Sequence, residues 1–210
     1  MKYKALPRRE PKQLRSKERV QKILDSTIRL LQDVGYDSIT TDAIALECGI
    51  SVGSLYQFFP NKEAILYSLA DASYLNIHDY FFSLVREEMK TRKKFDEKLI
   101  EQLLSMFEKS LVEVKWYHTI ESIVHTHPEL QKLDQESNIR FANSLVNELL
   151  LPLFPKLKKQ KAMDVAFISV EAVDSVFKSL LRESKISKMR KKQILTELGR
   201  FLYSYFSRLK

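Results

Sequence analysis

The stretch from Thr40 to Lys62, TTDAIALECGISVGSLYQFFPNK, constrains this chain more than any other. It reads as two short helices held at a fixed angle. Thr40 is a good N-cap, because its hydroxyl can accept an orphan backbone N–H of the first turn. Ile39 before it and Ile44 after it stand where a hydrophobic staple would be. Asp42 lies in the first turn, where a carboxylate suits the positive end of the helix dipole. The helix should run to about Cys48, and Gly49 supplies the left-handed residue that ends it. Ser51 caps a second helix from Val52 to about Phe59, which Pro60 cannot continue.

The apolar residues explain the geometry. Ile44, Ala45, Ile50, Leu55 and Phe59 point into one small core, and Leu55 and Phe59, four apart, share a face. The other face of the second helix is Val52, Gly53, Ser54, Tyr56 and Gln57, all small or able to hydrogen-bond. Such a face can lie in the major groove of DNA, with hydroxyls and helix N-termini on phosphates. The alternative is a helical hairpin that only fills a core.

Charge distribution bears on that choice. Nine basic residues and two acids fall in Met1 to Lys22, so seven of the eight net positive charges sit ahead of the hairpin. The hairpin itself is slightly acidic, with Asp42 and Glu47 against Lys62. Pro7 and Pro11 favour an extended arm, which can follow a DNA backbone or minor groove or remain a solvated tail.

From Arg15 to Ala70, and most closely over GISVGSLYQFFPNKEAIL, the sequence resembles the DNA-binding domain of the TetR/AcrR family of bacterial transcriptional regulators. The resemblance implies an all-α fold with an N-terminal three-helix helix-turn-helix domain and a larger C-terminal helical ligand-binding and dimerisation domain. The boundaries it implies are a basic arm at 1–14, the DNA-binding domain at 15–61 and the second domain at 62–210. It implies that Thr41, Tyr56 and Lys62 contact phosphate, and that Val52, Gly53, Ser54 and Gln57 face bases or the groove wall. Asp42 stands where some members carry a basic or base-reading residue, so no base contact is assigned to it. The implied function is a homodimeric repressor of a palindromic operator, released by a small apolar or aromatic molecule. An activator, or a ligand-independent regulator of the same fold, is the alternative.

Beyond the hairpin the chain is poor in breakers. Three of its four glycines, Gly35, Gly49 and Gly53, fall in the first quarter, and the rest shows 3.6-residue apolar patterns. Ser16 to Val34 is an amphipathic helix stopped by Gly35, and a long helix opened by Pro60 or Asn61, with Lys62 on its first turn, runs to about Met89 and leads into the remainder. Lysine in a first turn opposes the helix dipole, which is easier to understand if Lys62 answers a phosphate; an ordinary exposed lysine is the alternative. Helices are expected over Phe95–Val114, Trp116–Thr126, Glu129–Leu151, Ala162–Leu181 and Lys188–Leu209. The last two carry more apolar surface than one core needs, which points to a homodimer through a four-helix bundle.

Phe82, Phe107, Trp116, Phe141 and Phe177, with the polar His118 and Glu121, are candidate walls of a pocket for an apolar or aromatic effector; plain core is the alternative. His118, Glu121 and His125 have a spacing that shares a helix face and can bind metal, but locally bonded histidines are commoner and no metal is expected. Asp174, in a very apolar segment, can anchor a cation or pair across an interface. Cys48 is the single cysteine, so no intramolecular disulfide forms. No phosphate loop or nucleophile elbow is present, so neither an enzyme nor a cofactor is expected. MKYKALPRRE lacks the apolar core of a signal peptide and no segment is apolar enough to span a bilayer, so a cytoplasmic protein without a membrane partner is expected.

Overall fold

A computed structural model describes residues 14–92, 94–183 and 185–209, with side chains from residue 16 onward. The basic arm therefore lies outside the described residues up to residue 13. The described chain is all-α, with no strand among its residues. No described helix is long and apolar enough to cross a membrane.

The helices are α1 (Leu14–Ser38), α2 (Thr41–Cys48), α3 (Val52–Phe58), α4 (Lys62–Met89), α5 (Glu97–Glu113), α6 (Tyr117–Val124), α7 (Pro128–Leu145), the single turn α8 (Leu151–Leu153), α9 (Lys159–Arg182) and α10 (Lys188–Phe206). They form two compact units. One holds the described residues up to Ser73 together with Trp116–Leu133; the other holds Tyr74–Lys115 and Asp134 onward. The division between the units falls inside α4. Ala64, Ile65, Leu66, Leu69 and Ala70 are buried along the start of α4, which lies in the unit that holds the hairpin.

In the first unit α1 passes Gly35 at φ 72°, ψ 170°, the break that this glycine suggests. Ile23, Leu24, Ile28 and Leu31 form its buried stripe. Ile39, Ile44, Ala45, Cys48, Leu55 and Phe59 complete the core around the hairpin. Arg29 Nε donates to Glu47 Oε1 at 2.9 Å, linking α1 to α2.

The second unit is built on rings and on a few charges. Phe82, fully buried, has ring centroids at 4.9 Å from Phe81, 5.5 Å from Phe141 and 4.7 Å from His78. A second stack joins Phe95 to Phe154, Tyr203 and Phe206. Asp96 caps α5 by accepting from Leu99 N, and Ser187 caps α10 by accepting from Arg190 N. Lys178 is buried in α9, and its ammonium lies 2.5 Å from Asp134 and 2.8 Å from Asp174. Asn138 Nδ2 donates to Asp174 and to Glu171. Burial holds the Asp174 carboxyl above the usual carboxylate range, against the pull of Lys178.

The helix expected to run unbroken to Leu151 instead widens into a π-turn at Val146–Leu150. Pro152, in α8, lacks the N–H that would bond Glu148 O, and Leu151 N–H reaches Val146 O instead.

Candidate nucleic-acid interface

Local sequence explains how the hairpin is held. Thr40 Oγ1 accepts from Ala43 N at 3.1 Å, and Ser51 Oγ accepts from Ser54 N at 3.2 Å. Gly49 sits at φ 67°, ψ 38°, a left-handed conformation that costs other residues more. The Gly49 and Ile50 N–H groups then close the end of α2 on Leu46 O and Ala45 O, both at 3.0 Å. Leu55 and Phe59 face inward, 0 % and 1 % exposed.

The outward face collects the residues of the sequence reading. Gly53, Tyr56 and Gln57 are exposed; Thr41, Val52 and Ser54 are half-buried. Thr41 Oγ1 lies 3.1 Å from the Tyr56 hydroxyl, so two of the three expected phosphate contacts are neighbours although 15 residues apart in sequence. A Cβ built on Gly53 meets nothing within 4 Å, and its φ is not positive. Packing within the protein therefore gives no reason for glycine there, whereas close approach of another molecule does.

Lys62 is engaged inside the protein. Its Nζ donates to Tyr36 O at 3.3 Å and Ile39 O at 3.2 Å, and lies 4.2 Å from the centroid of the Tyr36 ring. The ammonium thus closes carbonyls at the end of α1, which explains a lysine in the first turn of α4. Asn61 Oδ1 caps that turn by accepting from Ala64 N. Sequence reasoning missed Tyr36. Its hydroxyl is 2.8 Å from His127 Nε2 and 3.5 Å from Glu63 Oε1, and burial with Glu63 pushes its pKa up to about 12.

The expected pocket residues divide between the units. Phe82, Phe107, Phe141 and Phe177 come together in the second, where Phe107 meets Phe141 and Phe177 edge-on at 5.9 Å and 5.1 Å and Phe82 is tilted against Phe141. Trp116, His118 and Glu121 belong to the first. Trp116 Nε1 donates to the buried Ser73 Oγ at 2.8 Å. His118 and His125 are exposed while Glu121 is 5 % exposed, so the three do not present one ligating face. No cluster able to hold a metal ion occurs among the described residues.

Residues 23–69 match the family model described as bacterial regulatory proteins, tetR family. Over these residues the chain carries a DNA-binding domain of the TetR type. It is 24 % identical over 168 residues to the uncharacterized HTH-type transcriptional regulator YuxN of Bacillus subtilis, covering 77 % of this chain and 54 % of that relative. It is 40 % identical over 52 residues to the HTH-type transcriptional repressor KstR of Rhodococcus jostii, covering 25 % and 24 %. The matched stretches thus span about half of the first relative and a quarter of the second. A TetR-family crystal structure from Syntrophomonas wolfei shares the fold, with a TM-score of 0.69 at 16 % identity over 90 % of this chain and 96 % of that one.

Proposed function

We propose that this chain is a TetR-family DNA-binding transcriptional regulator, a homodimeric repressor of a palindromic operator that a small apolar or aromatic effector releases. The observation that carries the reading is the outward face of α3, where Gly53 leaves open space beside Tyr56 and Gln57. Backbone at Gly53 can approach a groove wall, Ser54 and Gln57 can meet base edges, and the Thr41–Tyr56 hydroxyl pair can meet phosphate. Lys62 has spent two of its three ammonium donors on carbonyls, leaving one for a phosphate oxygen. The rings of Phe82, Phe107, Phe141 and Phe177 are the proposed apolar walls for the effector. Its differential affinity for two conformers sets the size of the switch.

Two α3 faces on a dyad read a longer site than one. The last two helices support that dimer. Phe177, Leu180, Leu198, Leu202 and Phe206 are buried within the protomer, yet Phe167, Ile168 and Phe201 stay 44 %, 48 % and 56 % exposed. Phe167→Glu and Phe201→Glu should therefore yield folded monomers in sedimentation experiments. A dimer surviving both would remove the last two helices as the seam.

The test of function is fluorescence anisotropy on DNA flanking the protein's own gene, titrated with salt and nonspecific competitor. Tyr56→Phe should weaken binding to every sequence alike, by about 1 kcal/mol for a lost phosphate bond. Gln57→Ala should instead relax preference at one base position. No competitor-resistant complex on any flanking fragment would contradict the assigned regulation.

A further inference from the structure

A cavity of about 260 Å³ lies within the first unit, away from the outward face of α3 in the chain and built from different residues. Glu63, Leu66 and Tyr67 from α4 form one side; His127, Glu129 and Leu130 around the start of α7 form the other. Leu66 and Leu130 are 2 % and 3 % exposed and give an apolar floor. Tyr67 adds a ring face, to which a cation is attracted. Two carboxylates, Glu63 and Glu129, stand at the wall, and no lysine or arginine is among the described lining residues.

The neighbouring bonds define how polar this wall is. His127 Nε2 is 2.8 Å from the Tyr36 hydroxyl, and His127 Nδ1 is 3.1 Å from Ile123 O and 2.8 Å from Thr126 Oγ1. Both ring nitrogens of His127 are thus occupied by protein partners, and the Tyr36 hydroxyl also reaches Glu63 Oε1 at 3.5 Å. Lys62, the nearest basic residue in sequence, is turned to Tyr36 O and Ile39 O. Each glutamate stands in the first turn of its helix, where the dipole answers only about half a charge. The wall remains net negative around an apolar floor.

The geometry points to a binding site for a small organic cation, its apolar body on Leu66, Leu130 and the Tyr67 ring and its ammonium between Glu63 and Glu129. The volume lies just below the range of about 300–1,000 Å³ usual for drug-sized ligands, which fits a one-ring amine. The site is separate from the aromatic walls proposed above for an apolar effector, and its test does not depend on DNA binding.

The experiment titrates the full chain with phenethylammonium chloride at fixed pH and ionic strength. It follows the ring signals of His127, one of four histidines, assigned with His127→Gln. A saturable shift confined to His127 is expected. The neutral 2-phenylethanol should bind about tenfold more weakly, and phenylacetate not measurably, because only the cation gains from the two carboxylates. Glu129→Gln, at an exposed position that leaves folding intact, should weaken phenethylammonium by about three- to tenfold. Absence of a saturable His127 shift in the wild type overturns the site. Equal affinity for 2-phenylethanol, or unchanged affinity in Glu129→Gln, overturns the cation preference and with it the proposal.

Discussion

Helices α2 and α3 are eight and seven residues long, whereas α9 runs for 24. Helices of eight residues or fewer do not persist alone in water. In the first unit they persist because both ends are satisfied: Thr40 and Ser51 at the starts, Gly49 at the end of one, and a few fully buried residues between them. In the second unit α9 begins without a side-chain cap at Lys158, and its order comes from what it buries. A cap is a local bond worth about 1 kcal/mol, and a buried ring is worth several. Stability in the hairpin is therefore spread over many small local terms, and in the second unit it is concentrated in a few large non-local ones.

The comparison can be broken most directly at Phe82. It has no exposed surface and touches three rings, so Phe82→Ala should cost about 3–5 kcal/mol in urea unfolding. A loss below about 1 kcal/mol would mean that the rings repack freely and that the second unit is not a concentrated core.

At Gly49 the expected effect is smaller. A Cβ there meets nothing closer than Lys22 Nζ at 3.9 Å, so space is available and only the left-handed backbone is strained. Gly49→Ala should cost about 1–2 kcal/mol. Ser51→Ala should add about 1 kcal/mol for the lost cap. Larger single losses at these positions would show that the hairpin, too, hangs on one contact.

The same contrast decides what could be read from the sequence. Thr40, Gly49 and Ser51 were legible because a cap and its partner lie within a few residues, and the residue types are few. The all-α fold was legible for a similar reason, since apolar periodicity is local. Lys62 gave half a signal. Its conflict with the helix dipole was visible, but its partners are 26 and 23 residues earlier, so a phosphate seemed the natural answer and two carbonyls were found. Lys178 was missed because nothing local marks a lysine as buried; the faint sign was Asp174 one turn before it in an apolar helix. His118, Glu121 and Trp116 were grouped with Phe82 by residue type. Burial separates them instead, since α6 turns Glu121 inward and His118 outward, in the unit that holds the hairpin.

Tyr36 offers the smallest and most specific refinement, because it asks whether a polar contact of the first unit has the modest weight assigned to it. Its hydroxyl bonds His127 at 2.8 Å, so Tyr36→Phe should lose about 1 kcal/mol at neutral pH. Burial and Glu63 raise its pKa from 10.0 to about 12, so the folded state favours the neutral phenol. A raised folded-state pKa contributes stability that is complete below the unfolded value and disappears as pH rises through the folded one. The window here is pH 10 to about 12. Two units would correspond to about 2.7 kcal/mol, but Tyr36 is half-buried and solvent screening cuts the usable part to about 1 kcal/mol. Wild type and Tyr36→Phe should therefore differ in urea midpoint at pH 8 and converge as the pH is raised above 10, with other tyrosines and lysines titrating equally in both. A gap that stays constant through this window would mean that the phenol ionises with the same ease folded and unfolded, and that the Tyr36–His127 bond carries no protonation-dependent weight in the unit.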